Sequence, residues 1–169
     1  KVRMKNAENG IAELKSKVDT LITIPNDRLL QIVQKNTSML DAFSIADNVL
    51  KQGIQSISDL IKVPGLINLD FADVTSIMKD KGLAHMGIGN ATGENRAIEA
   101  AREAIQSPLL ETSIRGAKGV LLNITGGANL GLLEINEAST LVQESCDPEA
   151  NIIFGASIRE DLAEEIRIT

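Results

Sequence analysis

The spacing of hydrophobic residues predicts alternating helices and strands from the start of the chain. Residues 7–18 (AENGIAELKSKV) place apolar side chains at the steps of three and four that are typical of one helix face. The β-branched run LITI at 21–24 then predicts a strand, and Asn26 or Asp27 can cap a short helix that reaches residue 33. The first part of the chain is therefore predicted to be helix, strand and short helix.

Residues 37–61 carry the strongest periodicity in the chain. Apolar residues recur there at steps of three and four: Met39, Leu40, Phe43, Ala46, Val49, Leu50, Ile54, Ile57, Leu60 and Ile61. About 25 helical residues at 1.5 Å each span roughly 37 Å, which is enough to cross a small domain. Because the apolar stripe is too wide for one packing surface, we expect one long helix between two subdomains, ended by Pro64 and Gly65.

The rest of the chain alternates helical and β-rich patterns. Helices are predicted at 71–81, 93–106 and 134–145. Strands are predicted at 83–89, 119–125 and 151–157, and the C-terminal IRIT begins a fourth. We therefore predict an α/β to α+β protein, in which the long helix is followed by a four-stranded sheet with helices mainly on one face.

Composition and charge exclude several classes of function. The formal net charge is -6 at pH 7 and only 2% of residues are aromatic. This argues against a nucleic-acid partner, because nucleic acids are bound by clustered cations and stacking aromatic rings. Cys146 is the only cysteine, so neither an internal disulfide nor a cysteine zinc site is possible. No apolar run approaches the roughly 20 residues that span a bilayer, and no direct membrane insertion is expected. The chain starts without Met, so we do not expect Lys1 to be the natural first residue.

The segment GLINLDFADV at 65–74 is the most informative stretch for function. Asn68, Asp70 and Asp73 form a polar cluster where a helix is predicted to begin, and the exposed N–H groups and dipole of a helix N-terminus favour carboxylates. On spacing alone the simpler interpretation is a cap, with Asp70 at the N-cap and Asp73 in the first turn.

Placed after a long helix, this segment closely resembles the catalytic loop of the FtsZ family of tubulin-like GTPases, and of the bacterial cell-division protein in particular. The motifs VDTLITIPNDRLL, SPLLE and NITGGANL are similar to the same family, so the resemblance covers essentially the whole chain. It implies a tubulin/FtsZ C-terminal domain within a cytoplasmic protein that polymerises into the cytokinetic ring at mid-cell and hydrolyses GTP to GDP and phosphate. Residues 1–36 would be a remnant of the GTP-binding domain, 37–64 the central helix, and 65–169 the GTPase-activating domain with a truncated last strand.

The resemblance also implies catalytic roles. Asn68, Asp70 and Asp73 match the positions that act in trans, on the GTP of the adjacent subunit in a head-to-tail filament, where they orient water and a cation beside the γ-phosphate. Such a role is chemically reasonable, because phosphoryl transfer to water is accelerated mainly by positioning and electrostatics.

Four residues match nucleotide contacts of the family. Phe43 and Asp47 lie four residues apart, about 6 Å along one side of the long helix. By resemblance, Phe43 stacks on guanine and Asp47 accepts from its paired N–H donors, which adenine lacks. Arg3 matches a basic residue that reaches the nucleotide, and Asn26 matches a polar contact near the base or ribose. Without the resemblance, the simpler interpretation is that Phe43 is a core residue beside an exposed Asp47. Arg3 would then be a solvated side chain and Asn26 an N-cap.

The family's glycine-rich phosphate loop does not occur in this sequence. Because the backbone donors of such a loop hold the phosphates, we expect GTP or GDP and Mg²⁺ to bind the full-length protein and not to bind this chain tightly by itself. The chain alone is expected to be inactive. The alternative hypothesis is that it is a non-catalytic interaction module that caps filaments. Other division proteins would bind mainly through a C-terminal tail, which this sequence also lacks.

Three other patterns are set aside. Gly87, Gly89 and Gly93 are more simply explained by a connecting loop than by a phosphate cradle. The pair Gly126–Gly127 matches a family turn that has no catalytic part. His85 is the only histidine, is predicted to lie in a strand, and has no Cys or His partners for a metal.

Overall fold

A computed structural model describes residues 2–24, 27–28, 38–63, 65–110 and 113–169. The helices are α1 (Val2–Lys15), α2 (Met39–Lys62), α3 (Phe71–Met78), α4 (Arg96–Ile105) and α5 (Leu132–Ser145). The strands are β1 (Thr20–Ile22), β2 (Gly82–Ala84), β3 (Gly89–Ala91), β4 (Gly119–Gly126), β5 (Asn151–Ile158) and β6 (Ile166–Ile168), and a 3-10 turn spans Glu160–Leu162. None of the described helices is both long and apolar enough to cross a bilayer.

The C-terminal part is built on a four-stranded mixed sheet with the strand order β3-β6-β4-β5. Strands β4 and β5 are parallel and are joined through α5, since parallel neighbours require a crossover connection. Strand β6 runs antiparallel to both β3 and β4. The predicted fourth strand at IRIT is therefore an interior strand of the sheet.

Alternate residues of β4 face opposite layers of the protein. Leu122 and Ile124 pack with α4 and α5, whereas Leu121 packs with a smaller cluster formed by α2 and α3. This alternation follows the period of two along a strand. The two longer helices after residue 65 share one face of the sheet, as predicted, and the short α3 joins α2 on the other face.

The long helix predicted at 37–61 is confirmed by α2. Ser38 caps it by accepting from the Asp41 N–H at 3.1 Å. Residues such as Val49 and Leu60 are buried, and Asn123 of β4 donates to the Ser56 carbonyl, which ties this side of the helix to the sheet. The other half of the wide stripe is exposed in the described structure. The proposed division of the chain at residues 36 and 64 stays a prediction.

The predicted strand at 83–89 is wrong as a single strand. The segment divides into β2, which pairs in parallel with β1, and β3, which pairs with β6 in the other sheet. Alternating hydrophobicity predicts an extended backbone but does not specify which strand it pairs with. His85 lies between the two strands, not in one of them.

The observed helix ends differ from the predicted ones by a few residues, and local turns explain two of these differences. Helix α3 ends at Met78, not at residue 81, because the backbone of Lys79 is extended (ψ 128°) and Asp80 follows with a positive φ of 57°. Helix α5 begins at Leu132, since the Glu134 carboxylate accepts from the Gly131 N–H at 2.9 Å and closes the first turn. The short helix predicted to end at residue 33 lies largely outside the described residues.

Candidate functional site

The segment between α2 and α3, residues 65–70, is held against the edge of the four-stranded sheet, and we call it the acidic loop. Ile67 exchanges two backbone hydrogen bonds with Ala156 of β5, at 3.2 and 3.0 Å. Gly65 lies so close to β5 that a Cβ there would overlap the Ala156 carbonyl oxygen. The Leu69 N–H donates to the Leu60 carbonyl at 3.3 Å, so the loop turns back beside the last turn of α2.

Asp70 and Asp73 form a reciprocal capping box at the start of α3. The Asp73 N–H donates to Oδ1 of Asp70 at 2.8 Å, and the Asp70 N–H donates to Oδ2 of Asp73 at 3.3 Å. Both side chains are exposed. The cap that spacing alone suggested is therefore present, and it is compatible with the catalytic interpretation, because it holds two carboxylates in place on the surface.

Two large apolar side chains flank these acids on the surface. Leu66 is 56% exposed and Phe71 is 73% exposed. Sequence reasoning treated them only as parts of a motif. Ile67 pairs with β5, and neighbouring residues of an extended segment point in opposite directions. This alternation could have indicated that Leu66 faces solvent. Large apolar side chains exposed close together are typical of a contact surface.

The predicted guanine contacts lie near the other end of α2. Phe43 is 65% exposed and Asp47 is also exposed, so the interpretation as a core Phe does not hold for the described residues. Arg3 is exposed on α1. Asn26 lies outside the described residues.

The structure brings Asn68, Asp70 and Asp73 together but separates them from Phe43. Leu60, which pairs with the acidic loop, lies 17 residues after Phe43 in α2. At 1.5 Å per residue this is about 25 Å along the helix axis. An extended nucleoside triphosphate is shorter than this distance. One nucleotide bound at Phe43 would therefore be out of reach of the acids in the same chain.

A cluster of polar groups around the buried Arg96, which sequence reasoning missed, lies at the end of the sheet where β4 finishes. Arg96 is only 6% exposed, and its Nε and Nη2 donate to the two Glu134 oxygens at 2.7 and 3.0 Å. Its Nη1 also donates to Oδ1 of Asn129 at 3.2 Å and to the Glu164 carbonyl at 2.8 Å. The Arg96 hydrogen bond holds the pKa of Glu134 below its ordinary value, although burial acts in the opposite direction.

The glycines that resembled a phosphate cradle have a packing role. A Cβ on Gly87 would overlap the Ala104 carbonyl oxygen, and one on Gly89 would overlap that of Ala100, so both glycines allow the chain to approach α4 closely. Gly93 has a φ of 96° in the turn before α4.

The fold and the acidic loop together define the C-terminal part of a tubulin-like protein. Two solved structures from Haloferax volcanii share this fold. A GTPγS-bound protofilament of CetZ2 has a TM-score of 0.72 at 15% identity, covering 96% of this chain and 48% of that one. A GDP-bound monomer of CetZ1 has a TM-score of 0.64 at 17% identity, covering 89% and 44%. At these identities the likeness concerns the fold alone.

The chain belongs to the FtsZ family, because residues 82–169 match the model of the FtsZ family, C-terminal domain. It is similar to M. jannaschii FtsZ in two solved structures, a tryptophan-to-tyrosine mutant and an empty dimer, at 45% identity over 99% of this chain. The TM-scores are 0.93 and 0.94, and the chain covers 50% and 48% of those chains, so it spans about half their length. The predicted family and C-terminal fold are confirmed.

Proposed function

We propose that the chain is the activating part of a self-assembling GTPase, and that its acidic loop acts on GTP bound to the adjacent subunit. The observation that carries the proposal is the position of Asp70 and Asp73. They are exposed at the start of α3, next to Leu69, which bonds to Leu60 of α2. Leu60 lies about 25 Å along the helix axis from the expected guanine contact at Phe43. Acids that cannot reach their own nucleotide can reach a neighbour's if the subunits stack head to tail.

The loop supplies positioning and charge, which phosphoryl transfer to water requires. A carboxylate held by the capping box can orient a water molecule for attack on the γ-phosphate. Among the described residues no cluster of three or more His, Cys, Asp or Glu side chains could hold a metal by itself. Asp70 and Asp73 nevertheless fit Mg²⁺, which is usually held by one or two carboxylates together with waters and phosphates. When bound, the ion would neutralise charge on the phosphates.

Self-association is supported by the surface around the acids and by the family. Leu66 and Phe71 present apolar area beside the carboxylates, as a contact between subunits requires. One of the similar M. jannaschii structures is described as an FtsZ dimer. Membership of the FtsZ family supports a role in cell division, with the filament as the active form, and we expect the full-length protein in the cytoplasmic division ring at mid-cell.

Replacing Asp73 by Asn in the full-length protein tests the catalytic role. Asn keeps an oxygen that can accept from the Asp70 N–H, so the capping box and loop geometry should persist while the charge is lost. We expect the rate of GTP hydrolysis per polymerised subunit to fall by about 10²-fold or more, with GTP affinity unchanged. Phosphate release from pelleted polymer and equilibrium nucleotide binding measure the two quantities.

Glu99→Gln is the matched control for Asp73→Asn. Glu99 is also an exposed acid in the first turn of a helix, but α4 lies on the opposite face of the sheet. Its loss should leave hydrolysis unchanged. If Asp73→Asn polymer hydrolyses GTP at the rate of the Glu99→Gln polymer, the acidic loop does not act on the nucleotide.

Replacing Asp47 by Ala tests the guanine contact in the same full-length protein. Removal of a carboxylate that accepts two N–H donors should weaken GTP binding by about 10²-fold, since a hydrogen bond to a charged group contributes about 1.5–3 kcal/mol. ATP binding should be almost unaffected, because adenine lacks the donor pair. Competition between GTP and ATP measures this selectivity, and an unchanged ratio would show that Asp47 does not read the base.

A further inference from the structure

The four-stranded sheet contains a gap about one strand wide beyond the end of β6. Strand β6 lies between β3 and β4, and at its end Thr169 exchanges two backbone hydrogen bonds with Asn123, at 2.9 and 3.0 Å. Beyond that pair, residues 85–87 on the β3 side and residues 119–122 of β4 border one cavity of about 630 Å³. Because β6 separates β3 from β4 by one strand, we infer that the space between these two segments has the same width.

The cavity is apolar on both faces of the sheet. One face is formed by Ala104 and Ile105 of α4 and by Val142 of α5. The other face is formed by Ile57 and Leu60 of α2. A strand that is covered by helices on both faces is typically a continuous apolar run. The lining of the cavity is therefore that of an interior strand position.

Polar groups on the two walls of the cavity favour a peptide over a small apolar molecule. Asn123 uses both its N–H and its C=O for Thr169, and in an antiparallel pair this arrangement repeats at every second residue. The N–H and C=O of Leu121 therefore point into the gap. Within the described residues, Oδ1 of Asn123 and Nδ1 of His85 are also buried without a hydrogen-bond partner. An extended backbone offers donors and acceptors to such groups, whereas a hydrocarbon would leave them unpaired.

We propose that the gap is a docking site for one extended apolar segment, which continues the direction of β6 and pairs antiparallel with β4. In a full-length protein the residues after Thr169 are its natural occupant, and this chain takes up the same kind of segment as a separate peptide. Ile168 pairs with Ile124, so the first four residues of the segment lie opposite residues 122 to 119 in turn. Backbone hydrogen bonds provide the affinity of such strand addition, and the apolar side chains provide its specificity.

Extending the chain after Thr169 by Val-Val-Val-Val tests the site. Four buried valines with their backbone hydrogen bonds should raise the melting temperature by about 5–10 °C. Extension by Val-Pro-Val-Val is the matched control, because it is similarly apolar but its proline has no N–H for the Leu121 carbonyl and does not fit inside a sheet. It should raise the melting temperature by less than about 2 °C. Equal shifts would overturn the proposal, since the gap would then take up apolar groups without forming a strand.

The peptide acetyl-Thr-Val-Val-Val-Val-Lys-Lys-amide tests docking of a separate segment. At ten times its dissociation constant, measured by calorimetric titration, it should raise the melting temperature of the unextended chain by about 3–6 °C. The chain extended by four valines is the control, since its gap is already filled and the peptide should cause no shift. No saturable binding to the unextended chain, or an equal shift in both chains, would show that a separate peptide does not dock in the gap.

A disulfide bond determines the register of the added strand. Cys146→Ser removes the native thiol, and Leu121→Cys is then combined with a cysteine at the second added residue. These two positions should cross-link on oxidation, because paired residues of antiparallel strands have Cα atoms about 5.5 Å apart. A cysteine at the first added residue should not cross-link, because its side chain points to the opposite face. Cross-linking from the first position, or from neither, would overturn the proposed pairing.

Discussion

Replacing Arg96 by Ala is expected to lower the free energy of unfolding of the chain by about 2–3 kcal/mol. The guanidinium is 6% exposed and is paired on one side with both oxygens of Glu134. Removing it takes both Arg96 donors from the partly buried Glu134 carboxylate, which keeps only the Gly131 N–H. The carbonyls of the exposed residues Asn129 and Glu164 each lose one donor. The loss of two charge-assisted hydrogen bonds to Glu134 is only partly offset by the Gly131 N–H and by solvent. Urea denaturation of the variant and the unmodified chain measures the difference.

Arg102→Ala is the matched control, since Arg102 is exposed on the same helix. It should change the free energy of unfolding by less than about 0.5 kcal/mol. Arg96→Lys should fall between the two, because a lysine keeps the charge but cannot bond to both carboxylate oxygens in the same plane. If Arg96→Ala lowers the free energy of unfolding as little as Arg102→Ala does, the cluster does not hold α4, the start of α5 and the segment at Glu164 together.

The Arg96–Glu134 pair should also give the chain a pH dependence at acidic pH. Arg96 lowers the pKa of Glu134 in the folded state, so the unfolded state binds the proton more readily. The stabilisation is fully present above the ordinary Glu pKa of about 4.3 and is lost as the pH falls through the lower, folded-state value. In Arg96→Ala the part of the acid dependence that comes from this pair should disappear.

Sequence reasoning succeeded where one short segment carries its own signal. The periodicity of residues 37–61 suffices to predict α2, because an apolar stripe repeated over many turns is compatible with no other regular structure. The acidic segment is similar: Asp70 and Asp73 lie at the two positions of a capping box, and the structure contains that box. Its capping role follows from local geometry, whereas its proposed catalytic role comes from the family resemblance.

The features that sequence reasoning did not predict depend on contacts between distant parts of the chain. Arg96 lies in the sequence ENRAIEAAREAI, where it looks like any surface arginine of an amphipathic helix. Its burial depends on Glu134 and Glu164, which are 38 and 68 residues away in sequence. The partner of β2 likewise could not be read from its own residues, because β1 lies 62 residues earlier at the first matched pair, Thr20 and Gly82. Long-range pairing of this kind produces no periodic pattern in the sequence.

The candidate site illustrates the same limit at the level of function. The relation between Asp70 and Phe43 depends on α2, which separates the proposed base contact from the acids. Under the proposed function, the length of the helix means that Phe43 and Asp70 would serve two different nucleotides. The exposure of Leu66 and Phe71 beside the acids supports the same conclusion from the packing side.

Gly89→Ala is expected to destabilise the chain by about 3 kcal/mol, at the upper end of what overpacking costs. Strand β3 approaches α4 over a stripe of small residues (Ala97, Ala100, Ala101 and Ala104), all of them buried. The new Cβ would overlap the Ala100 carbonyl oxygen and lie 2.5 Å from the Ala104 nitrogen. Both are backbone atoms, so no rotamer change can relieve the contact, and β3 must move away from α4 and from its partner β6.

Gly10→Ala provides a control of opposite sign. Gly10 is exposed in α1 and a Cβ there meets nothing within 4 Å, so alanine should stabilise that helix by up to about 1 kcal/mol through its higher helix propensity. Urea denaturation should therefore move the two glycine variants in opposite directions. If Gly89→Ala is tolerated like Gly10→Ala, β3 can shift without loss, and the close contact with α4 does not fix the position of this edge of the sheet.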